Sequence, residues 1–211
     1  AMDRISGQTV SSDGLLIVFV LRKTDLEANR GRTDLWVVGT NGRNLRQLTT
    51  EPANDFSPCW SNDGRTVFFI STRSGSSQVW RIPIDGGKAK QVTTYPLDVS
   101  NLKLSPDGSK IALTMEVFTK SSPEQTRQKL EEIKNKKSTG RIYEKLLFRH
   151  WDTWEDGRRS HIFVLPAEGG KATDIMKEMD VDCPLKPFGG SEEFTFTPDS
   201  NSIVFTAANS G

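Results

Sequence analysis

Short apolar runs, each preceded by the same kind of polar turn, set the pattern of this chain. Four turns stand out: Ser11-Ser12-Asp13-Gly14, Ser61-Asn62-Asp63-Gly64, Ser105-Pro106-Asp107-Gly108 and Thr197-Pro198-Asp199-Ser200. Each leads into an apolar run of strand length: Leu15–Val20, Thr66–Ser71, Lys110–Met115 and Ser202–Thr206. The first three turns start 50 and 44 residues apart, and the fourth follows after 92, close to two periods. Repeats of roughly 40–50 residues built from short strands mark propeller blades. Asp-Gly and Asn-Gly supply the positive φ that tight hairpins need.

The rest of the unit recurs in step. A second strand carries an aromatic residue: Trp36 within Asp34–Val38, Trp80 within Gln78–Ile82, and Phe163 within His161–Leu165. A glycine turn follows at Asn41-Gly42, Asp85-Gly86-Gly87 and Glu168-Gly169-Gly170, then an outer strand at Leu45–Thr49, Ala89–Thr93 and Lys171–Ile175. Inner strands open the next units at Asp55–Trp60 and Ser100–Leu104. Aromatic and β-branched residues suit a pleated, half-buried surface. A small sheet of this kind buries its two faces only by stacking on its neighbours. Trp36, Trp80 and Phe163 therefore read as packing between blades. The expected fold is all-β: a partial β-propeller of four-stranded antiparallel blades over residues 1–211, about three blades and the start of a fourth. Closed propellers have about 4–8 blades, so bare strand edges predict a longer parent protein or edge-to-edge self-association of copies.

The 92-residue gap holds an insertion over residues 116–159. Its first part predicts a helix near 123–138. Ser122 is an N-cap, Pro123 suits the first helical position, Gln125 completes a capping box, and Gly140 can end the helix. Only Leu130 and Ile133 give it an apolar stripe, so it belongs on the surface. The second part, Tyr143 to Trp154, mixes Leu146, Leu147, Phe148, Trp151 and Trp154 with Arg149, His150 and Asp152, and predicts a packed excursion. Charges alternating from Arg22 to Arg32 read as a solvated hairpin loop.

Composition removes several functions. Twenty-eight basic against 27 acidic residues leave a net charge of +1, which gives no field to draw in nucleic acid or anionic lipid. No apolar run approaches the roughly 18 residues of a membrane span, and the first residues show no charged stretch followed by an apolar core. Cys59 and Cys183 stand alone, away from His150 and His161, and read as free buried thiols, with a disulfide between them as the alternative; neither a metal site nor a cofactor is expected. Ser77 and Ser191 have glycine two residues before them but none two after, so no nucleophile elbow is present and no catalytic residue is expected.

Three stretches carry a family likeness: Asp25–Trp36, Ser71–Trp80, and Arg149-His150-Trp151-Asp152-Thr153-Trp154 with Asp156-Gly157-Arg158-Arg159-Ser160 after it. Together with the Asp-Gly turns they resemble the N-terminal propeller of the prolyl oligopeptidase family, in its dipeptidyl-peptidase and acylaminoacyl-peptidase branch. The turns are shared with TolB-like propellers. The resemblance implies a C-terminal α/β-hydrolase domain with a Ser-Asp-His triad as partner. It also implies a propeller that caps the active site, gates short peptides and helps bind the substrate N-terminus. A free α-ammonium needs a carboxylate, and a blocked amine an uncharged pocket. The expected substrate-binding residues are Arg149, His150, Trp151, Asp152, Trp154 and Glu155, with Asp156 beside them; the same stretch also reads as a solvated loop paired internally to Arg149 or Arg158. A more distant dipeptidyl-peptidase branch binds amines with a helix-borne glutamate pair. Glu192 and Glu193 are adjacent acids but lie just before a repeat turn, so that role does not carry over to them. Stand-alone TolB-like binding scaffold and sugar-binding propeller are the other function classes. Neither the periplasm or exterior nor the cytoplasm is favoured.

Overall fold

The computed structural model describes residues 2–138, 140, 149, 150 and 153–207. Three antiparallel four-stranded sheets follow one another along the chain. Blade 1 comprises β1 (Arg4–Val10), β2 (Leu16–Asp25), β3 (Arg30–Gly39) and β4 (Arg46–Gln47). Blade 2 comprises β5 (Asp55–Trp60), β6 (Thr66–Ser71), β7 (Gln78–Pro83) and β8 (Lys90–Gln91). Blade 3 begins with β9 (Ser100–Leu104) and β10 (Lys110–Phe118). It then gives out a helix, α1 (Pro123–Lys134), and a small hairpin of β11 (Arg149–His150) and β12 (Thr153–Trp154). It closes with β13 (Arg158–Pro166) and β14 (Thr173–Asp174), and β15 (Phe194–Phe196) and β16 (Ile203–Phe205) pair beyond it. The partial propeller, its four-stranded blades and its helical insertion are as the sequence predicts.

The repeated turn is built from one set of hydrogen bonds. Ser11, Ser61 and Ser105 each donate from Oγ to the aspartate two residues on, at 2.6 Å, and the aspartate accepts the backbone N–H of Leu15, Arg65 or Ser109 at 3.0 Å. Thr197 and Asp199 repeat this, with Ser200 at φ 62° where the others have glycine. The turns also touch: Ser12 Oγ donates to the Asn62 carbonyl at 3.1 Å, Asn62 Nδ2 to the Pro106 carbonyl, and Asp107 N–H to Ser200 Oγ at 3.0 Å. All four turns therefore lie at one end of the blades.

The serine or threonine hydroxyl holds each of Asp13, Asp63, Asp107 and Asp199 below the usual carboxylate range. A carboxyl that ionises more readily when folded stabilises the fold above its unfolded pKa and loses that support as pH falls toward the folded one. Unfolding on acidification below about pH 4 is thus expected to start at these turns. Asp107→Asn should flatten the acid limb of a stability-against-pH curve; an unchanged limb would exclude the turns as its source.

The blades stack through alternating faces. Val18, Val20, Leu35 and Val37 pack on Val67, Phe69 and Ile82. The opposite face of blade 2, with Phe68, Ile70 and Val79, packs on Ile111, Leu113, Phe163 and Leu165 of blade 3. Ala112 and Ile162 then meet Phe194 and Phe196. Trp80 and Phe163 lie in these junctions. Trp36 faces the other way, with Lys23 Nζ 5.0 Å from its ring centroid.

Some elements differ from expectation. The charged stretch from Arg22 to Arg32 is ordered ladder: β2 and β3 stay paired to Asp25 and Arg30, leaving only residues 26–29 as the turn. Each outer strand shrinks to a two-residue pairing; in blades 1 and 2, Thr49 and Thr93 turn their hydroxyls to accept the N–H of Leu35 at 3.0 Å and Val79 at 2.9 Å instead. The inner strand β1 lies ahead of the first turn, where the sequence pattern predicts none. The helix has its capping box, but ends at Lys134 with Asn135 as C-cap, short of Gly140; the polar run 135–138 offers nothing to pack.

Candidate functional site

Antiparallel order fixes what lies at the end opposite the turns. There the second strand of each blade passes to the third, and the outer strand passes to the next blade. That end carries the β2–β3 ribbon, residues 72–77, α1 with the β11–β12 hairpin, and the connectors 48–54, 92–99 and 175–193. The irregular, chemically varied segments are gathered on one side by topology alone.

Each connector is tied down by the same device. An Asx side chain accepts the backbone N–H at the entrance to the third strand: Asn54 from Thr33 at 3.1 Å, Asp98 from Ser77 at 2.7 Å and Asp182 from Ser160 at 2.7 Å. The next strand residue is polar and buried. Gln78 donates to the carbonyls of Tyr95 and Leu97, both at 3.0 Å, and accepts from Tyr95 N–H at 2.9 Å and Thr93 Oγ1 at 2.8 Å. His161 takes that place in blade 3, its ring nitrogens 2.9 Å from an Asp174 oxygen and 3.1 Å from the Met179 carbonyl.

Between these connectors opens a cavity of about 610 Å³. Its floor includes Asn101, Thr114, Met115 and Ser160, and its walls come from Pro96–Asp98, from Arg127 and Leu130 of α1, and from 184–187. Asn101 stands at φ 54° in a bulge of β9 and donates to Thr114 Oγ1 at 2.9 Å; Gly7 and Ser57 occupy the same bulge in β1 and β5. α1 is anchored by buried Thr126, whose Oγ1 accepts the Phe118 N–H at 3.2 Å. The loop 184–190 is pinned by Glu193, which accepts the Leu185 N–H at 2.6 Å. A Cβ on Gly189 would meet the Leu185 backbone at 2.6 Å, so only glycine fits there. Glu192 and Glu193 sit in a single 3-10 turn, Ser191–Glu193, and Glu193 serves that loop.

The cavity mouth mixes charges. Glu116 pairs with Lys186 at 3.1 Å and Arg158 at 3.3 Å, and Lys186 lies 3.5 Å from Asp182. Burial pushes the Asp156 carboxyl up, but hydrogen bonds and charge from Arg158 overcome this and hold it below the usual range. Arg159, nearly buried, reaches Asp180 at 2.7 Å, Glu155 at 3.2 Å and Asp182 at 3.3 Å.

Of the residues expected from sequence, Trp151 and Asp152 lie outside the described residues. Arg149 and His150 form β11 opposite Thr153 and Trp154, and the Arg149 guanidinium sits 5.0 Å from the Trp154 ring centroid. Glu155 is engaged by Arg159 and Asp156 by Arg158. Arg158 lines the cavity, and Ser160 two residues on lies in its floor. Glu116, Arg127 and Lys186 were not singled out by sequence; they come from three separate segments, and no linear spacing joins them. Among the described residues, no three His, Cys, Asp or Glu side chains converge so as to hold a metal. Cys59 and Cys183 are free thiols.

Comparison with known proteins accords with this architecture. The pattern of the TolB β-propeller domain matches residues 7–140. The chain belongs to the TolB β-propeller family. It is 28% identical over 209 residues to dipeptidyl-peptidase 5 of Porphyromonas gingivalis, covering 98% of this chain and 30% of that protein. It thus spans under a third of the curated peptidases it matches. Among solved structures, the acylaminoacyl peptidase of Pyrococcus horikoshii superposes over 82% of this chain and 24% of its own, at TM-score 0.58 and 15% identity. A TolB from Agrobacterium tumefaciens covers 82% of this chain and 49% of its own, at TM-score 0.52 and 17% identity. These similarities show the fold.

Proposed function

We propose that this chain is the non-catalytic propeller of a serine exopeptidase. In this reading, the loop-bearing end faces a C-terminal α/β-hydrolase domain, gates the entry of short peptides and helps hold the substrate N-terminus. The whole protein would release dipeptides or acylated residues from peptide N-termini. The observation that carries this is coverage: the dipeptidyl-peptidase likeness runs through 98% of the chain, insertion included, whereas the likeness to the Tol-Pal protein TolB of Francisella tularensis covers 45%. The insertion on the loop-bearing end is therefore part of what is shared with a peptidase. The cavity supports the reading, being lined by side chains of both signs that suit the polar backbone and termini of a peptide.

Within this reading, Arg149, His150, Trp151, Asp152, Trp154 and Glu155 are the residues that would meet the peptide N-terminus. Glu155 and Asp156 are held by Arg159 and Arg158, and Asp152 lies in the Arg-His-Trp-Asp-Thr-Trp stretch that carries the family likeness, so it is the carboxylate to test first. In the full natural polypeptide, Asp152→Asn is expected to lower kcat/KM about 10- to 100-fold for substrates with a free amine, the worth of a charge-assisted hydrogen bond. Substrates with an acylated N-terminus should be unaffected. Equal effects on both classes would remove the amine-binding role. Labelling of the same polypeptide by a fluorophosphonate tests the peptidase assignment separately; no labelling would favour a binding scaffold of the TolB kind. Among the described residues β16 pairs only with β15, which supports self-association of this chain, measurable as a concentration-dependent mass.

A further inference from the structure

Superposing the repeat on itself shows where one junction breaks the pattern. The residue after each connector's Asx is Asp55, Val99 or Cys183, and all three are fully buried. The residue of each third strand that follows the Asx-bonded one is Asp34, Gln78 or His161, polar and buried in every case. At the junctions following blades 2 and 3, these two positions hold a bonded polar side chain beside an apolar or thiol group. Between blades 1 and 2, both are carboxylates. The Thr33–Asn54 hydrogen bond brings their backbones together. Asp34 and Asp55 each keep a buried Oδ1 with no hydrogen-bond partner.

The cations around them pair with the two carboxylates unequally. Arg73 lies 2.7 Å from Asp55 Oδ2, with its guanidinium over the Phe69 and Trp80 rings. Arg32, half-exposed on the same strand, is 3.5 Å from Asp34 Oδ2. Lys23 on β2 attracts the Asp34 charge more weakly, and Asp55 repels it. A buried carboxylate without full compensation takes up a proton rather than bear the cost. Burial is the main reason that the Asp34 carboxyl is raised above its usual range, Asp55 adding to it.

We propose that Asp34 is a proton-operated latch between blades 1 and 2: protonated, it closes the junction beside the Asp55–Arg73 pair, and ionised, it loosens it. The folded state holds this proton more tightly than the unfolded chain does. Stability from Asp34 is therefore fullest in acid and declines as pH rises from the unfolded aspartate value through the raised folded one. The latch sits at the end that carries the connectors and would couple pH to how firmly blade 1 is held. It does not depend on the peptidase reading.

The test compares the 211-residue protein with Asp34→Asn by thermal unfolding from about pH 4, the unfolded aspartate value, to pH 8; the repeat-turn aspartates are common to both proteins and cancel in the difference. The midpoint of the variant is expected to gain on the wild type by several degrees as pH rises. Curves that stay parallel would overturn the proposal, whatever their offset. If Asp34→Asn does not fold, the ¹³Cγ shift of Asp34 in the labelled wild type decides: titration within or above this range supports the latch, and a carboxylate ionised throughout overturns it.

Discussion

Replacing Gln78 with alanine is expected to destabilise the protein by about 3 kcal/mol, since a buried backbone group left without its partner costs roughly 1–3 kcal/mol. The amide is 1% exposed and serves the carbonyls of Tyr95 and Leu97, the Tyr95 N–H and the Thr93 hydroxyl at once. Its loss orphans several groups in one short connector. For a chain of this size, that corresponds to roughly 6–12 °C in unfolding midpoint. Gln78→Leu, which restores the volume, should lose about as much, because the orphaned groups remain. The same connector supplies Pro96, Leu97 and Asp98 to the cavity wall, so amide exchange at Tyr95 and Val99 should rise in both variants. A midpoint change under about 2 °C for Gln78→Ala would show that water replaces the amide at little cost.

How far these features could be read from the sequence depends on whether they are local. The turn Ser61-Asn62-Asp63-Gly64 carries its own hydrogen-bond set, so the two strands flanking it were legible, and β6 matches its predicted bounds. Capping at Ser122 and Gln125 is equally local. The ladder from Arg22 to Asp25 was not legible, because its residues are polar on both faces and only their partners Arg30–Thr33 hold them extended. The cavity is less visible still. Glu116, Lys186 and Arg127 meet only after a third of the chain has folded around them. The Asp34–Asp55 departure lies between these cases: aligning Asp34 with Gln78 and His161 exposes it, but only once the third strands are in register.

Phe69→Ala is expected to be the most damaging single truncation, costing about 3–5 kcal/mol, the usual range for emptying a buried phenylalanine site. Phe69 is completely buried, and its ring fills the space between blades 1 and 2 among Val18, Leu35, Val37 and Ile82. It also lies under the Arg73 guanidinium that holds Asp55, so its loss removes packing and loosens the charged contact together. Stacked repeats touch mainly their neighbours, so the damage should stay near this junction. Hydrogen exchange in β2 and β3 is expected to accelerate far more than in β10 and β13, whose contacts run through Leu113 and Phe163. Trp36→Ala, on the opposite face of blade 1, should cost clearly less, because that ring is only half-buried. Equal acceleration in every strand would mean that the sheets unfold as one unit rather than as separable blades.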